Sequence, residues 1–239
     1  MTETYYLIPN SAGTAFLGNG YTPDGTLPKG AMVCTQAQAS NFEAYAPDMS
    51  TTPPSIVSVP TSVLLAAAKT AQSALIKQGF ANAVAAIPFT INGTSYVLDT
   101  AQTKQAAYMA IVVAANNAMN HPVLWAASTS VAQYAVQLVG SSYLFCTVAG
   151  TTGTTAPTPP TTFGTPVTDG GVNGGVTWEL YGRTLEMSDG THATFTVQEL
   201  ISIFQQVEVY IHYQKNQKLN LLAQIAAATT VSAVQAIVW

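Results

Sequence analysis

An α+β fold is predicted from three observations. Short β-rich runs close on Asn-Gly and Asp-Gly turns, several stretches carry helical periodicity, and a Thr-, Gly- and Pro-rich span at residues 140–182 lies between two strand-like runs. The organisation that follows is a small N-terminal β unit (1–47), a connector (48–61), and a helical domain with hairpins built from 62–139 and 183–239. That domain ends on a long helix and carries a small inserted β module (140–182).

The N-terminal unit rests on the runs TYYLI at 4–8 and AMVCT at 31–35, separated by turn-forming Gly, Asn, Pro and Asp. Residues 49–60, MSTTPPSIVSVP, read as a proline-extended connector. A helix over 62–87 follows from Leu64, Leu65, Ala68, Ala71, Leu75 and Gln78, with Lys69 and Lys77 facing water. Asn92-Gly93 sits between FTI and SYV, a type I′ hairpin signal. Asp99 or Thr100 is placed to cap a second helix, which His121-Pro122 stops.

Within the module, Tyr143, Phe145 and Thr147 alternate with Leu144, Cys146 and Val148, and Val176, Trp178 and Leu180 alternate with Thr177, Glu179 and Tyr181. A second hairpin turns at Asp189-Gly190. Thr196 and Glu199 then form a capping box ahead of a helix whose face runs through Leu200, Ile203, Phe204, Val207, Ile211, Gln214, Lys218, Leu221, Leu222 and Ile225. A short final helix over 231–239 is expected to end on a buried Trp239.

Only 8% of the residues are Asp, Glu, Lys or Arg, against roughly 25% in ordinary soluble domains. A surface so poor in ions loses little hydration when covered, which points to life among other subunits, with a neutral-surfaced monomer as the rival reading. With seven Lys and Arg in all and a net charge of −4, no basic face is available for nucleic acid. No export signal or membrane span is read. The Ala-rich runs carry Lys69, Lys77, Asn116 and Asn117. Cys34 and Cys146 read as free thiols.

No catalytic constellation is visible, and a non-enzymatic protein without cofactor or metal is expected. His121, His192 and His212 lack metal-ligand spacing, and neither cysteine has a flanking His. Asp169, Glu179, Glu186 and Asp189 are the candidates for a carboxylate pair, but Asp169 and Asp189 precede glycines as turn residues do. The glycine-rich run 170–175 lacks the Lys-Ser/Thr of a phosphate loop. Candidate binding residues are Tyr143, Phe163, Trp178 and Tyr181, placed to stack on a sugar. The competing and favoured reading puts Trp178 and Tyr143 in the module's own core.

Several motifs carry a family resemblance: Phe89, Asn92-Gly93 and Tyr96 before a helix, then Trp178, Thr196, Glu199-Leu200, Ala227-Ala228-Thr229, and Ile237 with Trp239. In these the chain resembles a domain of tailed-bacteriophage tail proteins and tail-fibre-associated proteins. The opening TYYLI and LPKGAMVCT look like the start of the same class. Tyr143, Cys146-Thr147, Ala149-Gly150-Thr151-Thr152-Gly153, Ala156-Pro157-Thr158, Val167-Thr168-Asp169-Gly170 and Val176-Thr177-Trp178 are similar to units inserted in phage virion proteins. Here the whole module separates Trp178 from the preceding helix.

The resemblance implies a structural protein of the tail, baseplate or tail fibre, assembled in the host cytoplasm and carried in the virion. Its partners would be other tail or baseplate proteins and further copies of itself. The alternatives are an adhesin whose module binds host-surface glycan and a tail-fibre assembly chaperone.

Overall fold

A computed structural model describes residues 3–100, 102–171 and 175–239. With 37% helix and 30% strand in several small sheets, the chain is α+β. It divides into two compact units, residues 3–76 with Asn220–Trp239, and Lys77–Leu219.

In the first unit, β1 (Thr4–Pro9) is the central strand of an antiparallel sheet between β2 (Phe16–Thr22) and β3 (Met32–Cys34). Leu7 and Phe16 are buried beneath it. Thr35 caps α1 (Gln36–Ser40) in a reciprocal box with Gln38. Where a connector is expected over 48–61, β4 (Tyr45–Asp48) and β5 (Ser55–Ser58) form an antiparallel pair. Pro53 and Pro54 lie in the turn between these strands, where no ladder N–H is needed, and Pro60 follows β5.

The helix α2 (Thr61–Ala85) begins in this unit, and the end of α4 (Val197–Ala227) and α5 (Val231–Gln235) complete it. Ile76, Ile225 and Val234 form their buried contact, with Leu65, Leu221 and Trp239 packed around it. Trp239 is only half-buried, against the expectation of a buried anchor. Leu75, expected on the inner face, is 61% exposed, and Ile76 takes its place. An Ala-rich helix has too little apolar contrast to reveal that rotation in sequence. Lys69 Nζ donates to the Ala226 carbonyl at 2.7 Å, a cation on a helix C-terminus.

In the second unit, β6 (Ala86–Ile91) and β7 (Thr94–Asp99) form the hairpin predicted at Asn92-Gly93. Both turn residues have positive φ, 51° and 80°, as a type I′ turn requires. The helix α3 (Gln102–Asn120) follows. The cap expected from Asp99 or Thr100 involves residues 101–103 and lies outside what the structure describes.

Next come β8 (Ser130–Val131), β9 (Val136–Val139), β10 (Ser142–Val148), β11 (Gly150–Thr151), β12 (Val167–Thr168) and β13 (Thr177–Leu180). A four-stranded sheet runs in the order β12-β13-β10-β9, and β8 pairs with β11. The sheet therefore starts upstream of residue 140, because β9 and Val131 are needed to close its core. Finally β14 (Gly182–Glu186) and β15 (His192–Thr196) form the hairpin predicted at Asp189-Gly190. Thr196 and Glu199 make the predicted capping box on α4, with Glu199 accepting from the Thr196 amide at 2.8 Å. The 31 residues of α4 span about 46 Å.

The sheet is covered on both faces. One face carries Leu144, Cys146, Val176, Trp178 and Leu180. The other contributes Tyr143 to a core of Ile87, Phe89, Leu98, Leu185, Phe195 and Leu200.

Candidate functional site

The four aromatics proposed for ligand stacking do not form one surface. Trp178 is fully buried and Tyr143 is 6% exposed, so neither is open to a ligand. Because successive strand residues point to opposite faces, Tyr143 and Tyr181 join one core, and Trp178 and Phe163 join the other. Tyr143 Oη donates to the Ala118 carbonyl at 3.0 Å. Tyr181 packs edge-on to Phe145 and under the Arg183 guanidinium, which lies 5.2 Å from the ring centre. Phe163 lies over Gly182, where any Cβ would come within 2.4 Å of its ring. The favoured sequence reading holds for Trp178, which lies in the module's own core, but Tyr143 is buried in the opposite core with the hairpins and α4, and the shared stacking surface is corrected.

Asp169 proves to be the polar centre of the module, although its Asp-Gly context reads as a turn. It is 8% exposed and accepts from Val176 N at 3.0 Å, Trp178 Nε1 at 3.2 Å, Trp125 Nε1 at 3.4 Å and Gly171 N at 3.4 Å. Burial pushes its carboxyl up, but the hydrogen bonds from Val176, Trp178 and Trp125 outweigh that and hold it below the ordinary aspartate value. Residues 172–174 of the glycine-rich run lie outside the described residues.

The flanking glycines are required by backbone contact rather than by a ligand. A Cβ on Gly171 would lie 2.0 Å from the Thr151 carbonyl oxygen, and one on Gly153 2.2 Å from that of Asp169. Thr152, 2% exposed, fixes the same loop by donating to the Ala126 carbonyl at 2.6 Å and accepting from Thr129 N at 2.8 Å.

The remaining carboxylates also have local partners. Asp189 accepts from the Thr191 amide and hydroxyl, holding the hairpin turn. Glu186 and Asp99 hold Lys104 Nζ between them at 2.7 and 2.5 Å, and the two acids, Asp99 first, raise the lysine well above its usual value. Glu179 is half-buried on β13. Among the described residues no three His, Cys, Asp or Glu side chains converge as a metal site would require. No described helix is long and apolar enough to cross a membrane. Cys34 and Cys146 are both free thiols, the second buried.

What the sequence reading missed is the open apolar ground along α3 and α4 within Lys77–Leu219. Leu200, Ile203 and Val207 are buried as predicted, but Ile211, assigned to the same face, is 37% exposed, and Phe204 is half-buried. Together with Met109 and Val112 of α3 they line two shallow hollows of about 390 and 420 Å³ between the helices. Glu208 is the one charged side chain in either lining. Met109 is 63% and Val113 53% exposed on α3, with Val209, Tyr213 and Leu219 exposed on α4. A signal was present in sequence: from Gln105 to Asn120 no charge interrupts the helix, so no side of it is marked for water. A larger hollow of about 780 Å³ in the first unit, between Met32, Met49 and Ile56, has no titratable side chain in its lining.

Compared with protein-family models, curated proteins and solved structures, the chain matches none.

Proposed function

We propose that this chain is a non-enzymatic structural protein of a phage tail, baseplate or tail fibre, acting through protein–protein assembly. The observation that carries the assembly reading is the open, nearly uncharged apolar ground on α3 and α4. Exposed apolar patches of this kind mark interaction surfaces in soluble proteins. The low charge of the whole chain works in the same direction, because covering such a surface strips few ions of water. Placement in a tail rests on the family resemblance of the hairpin, capping-box and C-terminal motifs.

Mass spectrometry of purified virions, together with light scattering on the isolated protein, tests the proposal. A component present in stoichiometric amounts is the expected result. A protein needed for assembly but missing from finished particles would identify a chaperone instead. A monomer absent from virions would defeat the structural reading.

A further inference from the structure

Building on the assembly reading, we propose that the α3/α4 face of Lys77–Leu219 docks a second copy of this chain. The two α4 helices run antiparallel across a twofold axis near Ile211 and His212.

One side of α4 carries a continuous stripe. Phe204, Glu208, Ile211, Lys215 and Leu219 follow one another at spacings of four, three, four and four, so they share one side of the helix, next to the buried Leu200, Ile203 and Val207. Glu208, Ile211, Lys215 and Leu219 are exposed. Glu208 and Lys215 lie about 10.5 Å apart along the axis, too far to pair within the helix. The ion pairs found among the described residues belong to Lys104.

In an antiparallel helix pair, facing positions have a constant sum of residue numbers. An axis between Ile211 and His212 sets Glu208 opposite Lys215 of the partner subunit, and Phe204 opposite Leu219 of the partner subunit. The stripe is thus complementary to itself in charge and in apolar contact, as an isologous interface requires. Beside it, Met109 and Val113 offer an uncharged apolar wall that can meet its own copy without like-charge contact.

The extent of the face is sufficient. Residues 201–219 of α4 cover about 28 Å, and two neighbouring helices present roughly 20 Å across. The face is then roughly 560 Å² per copy, just over 1,000 Å² in all, where specific association begins.

Sedimentation equilibrium of the full chain and its variants tests this. The wild type should be dimeric, and Glu208→Lys and Lys215→Glu should each raise the dissociation constant about tenfold or more by placing like charges opposite one another at two symmetric points. Combining both reversals should restore dimerisation to within about threefold of wild type, since the pairs are re-formed with their signs exchanged. Far-UV circular dichroism confirms that each variant is folded.

Should a reversal fail to fold, Ile211→Cys in a Cys34→Ser background supplies the second test, because the axis brings the two introduced thiols together and mild oxidation should link the copies. A monomeric wild type, single reversals without effect, a double reversal that stays monomeric, or an Ile211→Cys variant that does not crosslink overturns the proposal. A monomer present in virions would sink this interface and leave the tail reading standing. A dimer absent from virions would do the opposite.

Discussion

Asp169→Asn is the most direct probe of what holds the module together. The substitution keeps shape and volume, but an amide has one acceptor oxygen where the carboxylate has two. The four donors around Asp169 come in two sets: Val176 N and Gly171 N on Oδ1, and the Trp178 and Trp125 indoles on Oδ2. Whichever way the amide is turned, one set faces an NH₂ group, and either Val176 N or Trp178 Nε1 is left donating to nothing in a buried site. Hydrogen bonds to a charged group contribute about 1.5–3 kcal/mol each, and part of that loss is offset because the amide is cheaper to desolvate, leaving a cost of about 2–4 kcal/mol.

Urea unfolding followed by tryptophan fluorescence reads this directly. A Trp239→Phe background leaves Trp125 and Trp178 as the reporters, and both lie on the perturbed carboxylate. The pH dependence carries a sign. Asp169 titrates below its unfolded value of about 3.9, so its contribution is complete above that value and is lost as pH falls through the lower folded one. The gap between wild type and Asp169→Asn should therefore be full at pH 7 and close progressively below about pH 4. A gap under about 0.5 kcal/mol at pH 7, or one that widens on acidification, would refute the assignment.

Three further outcomes follow from local geometry. Gly171→Ala should destabilise the module by about 1–3 kcal/mol in thermal melts, since its Cβ meets a backbone carbonyl that cannot turn aside, whereas Gly18→Ala, with no atom within 4 Å of the added carbon, should stay within about 0.5 kcal/mol. Glu199→Ala removes both the reciprocal bond to Thr196 and the 2.7 Å acceptor for Asn92 Nδ2 at the hairpin tip, and should cost about 1–2 kcal/mol by chemical denaturation. Lys104→Met leaves two carboxylates without the ammonium between them. Its melting temperature should fall below wild type at pH 7, and the gap should close at strongly alkaline pH, because the raised lysine pKa gives a stabilisation that is complete below the unfolded lysine value of about 10.4 and is lost as pH rises through the folded one.

The elements legible in sequence are those whose cause is local. Asn92-Gly93 and Asp189-Gly190 announce their hairpins because the backbone angles are set by the turn residues themselves, and Thr196 with Glu199 announces α4 because the capping box closes within four residues. What stayed hidden depends on partners far along the chain. The strand β2 carries two glycines and is held by its pairing with β1 rather than by its own propensity. Asp169 looks like any Asp-Gly turn until Trp125, 44 residues upstream, arrives on its other oxygen. Period-two alternation placed Tyr143 and Trp178 on the correct kind of element, yet could not reveal that both faces of the sheet are covered.

The scarcity of charge has two consequences that belong together. Inside the module, the chain joins its loops through glycine-permitted backbone contact and one carboxylate gathered under indole and amide donors, so cohesion there does not need paired ions. Outside, the same scarcity leaves α3 and the flank of α4 without the charged fringe that keeps a helix in water. Glu208 and Lys215 are then conspicuous because they are exposed and spaced too far apart to neutralise one another within the helix, whereas Lys218 on the same side lies over the Phe80 ring. Charges so placed add little to the fold of a single chain, but they set register and direction once a second helix lies alongside. Reversing them should accordingly shift association while leaving the melting temperature almost unchanged at concentrations low enough for wild type and variant both to be monomeric, and a loss of stability under those conditions would return them to a purely structural role.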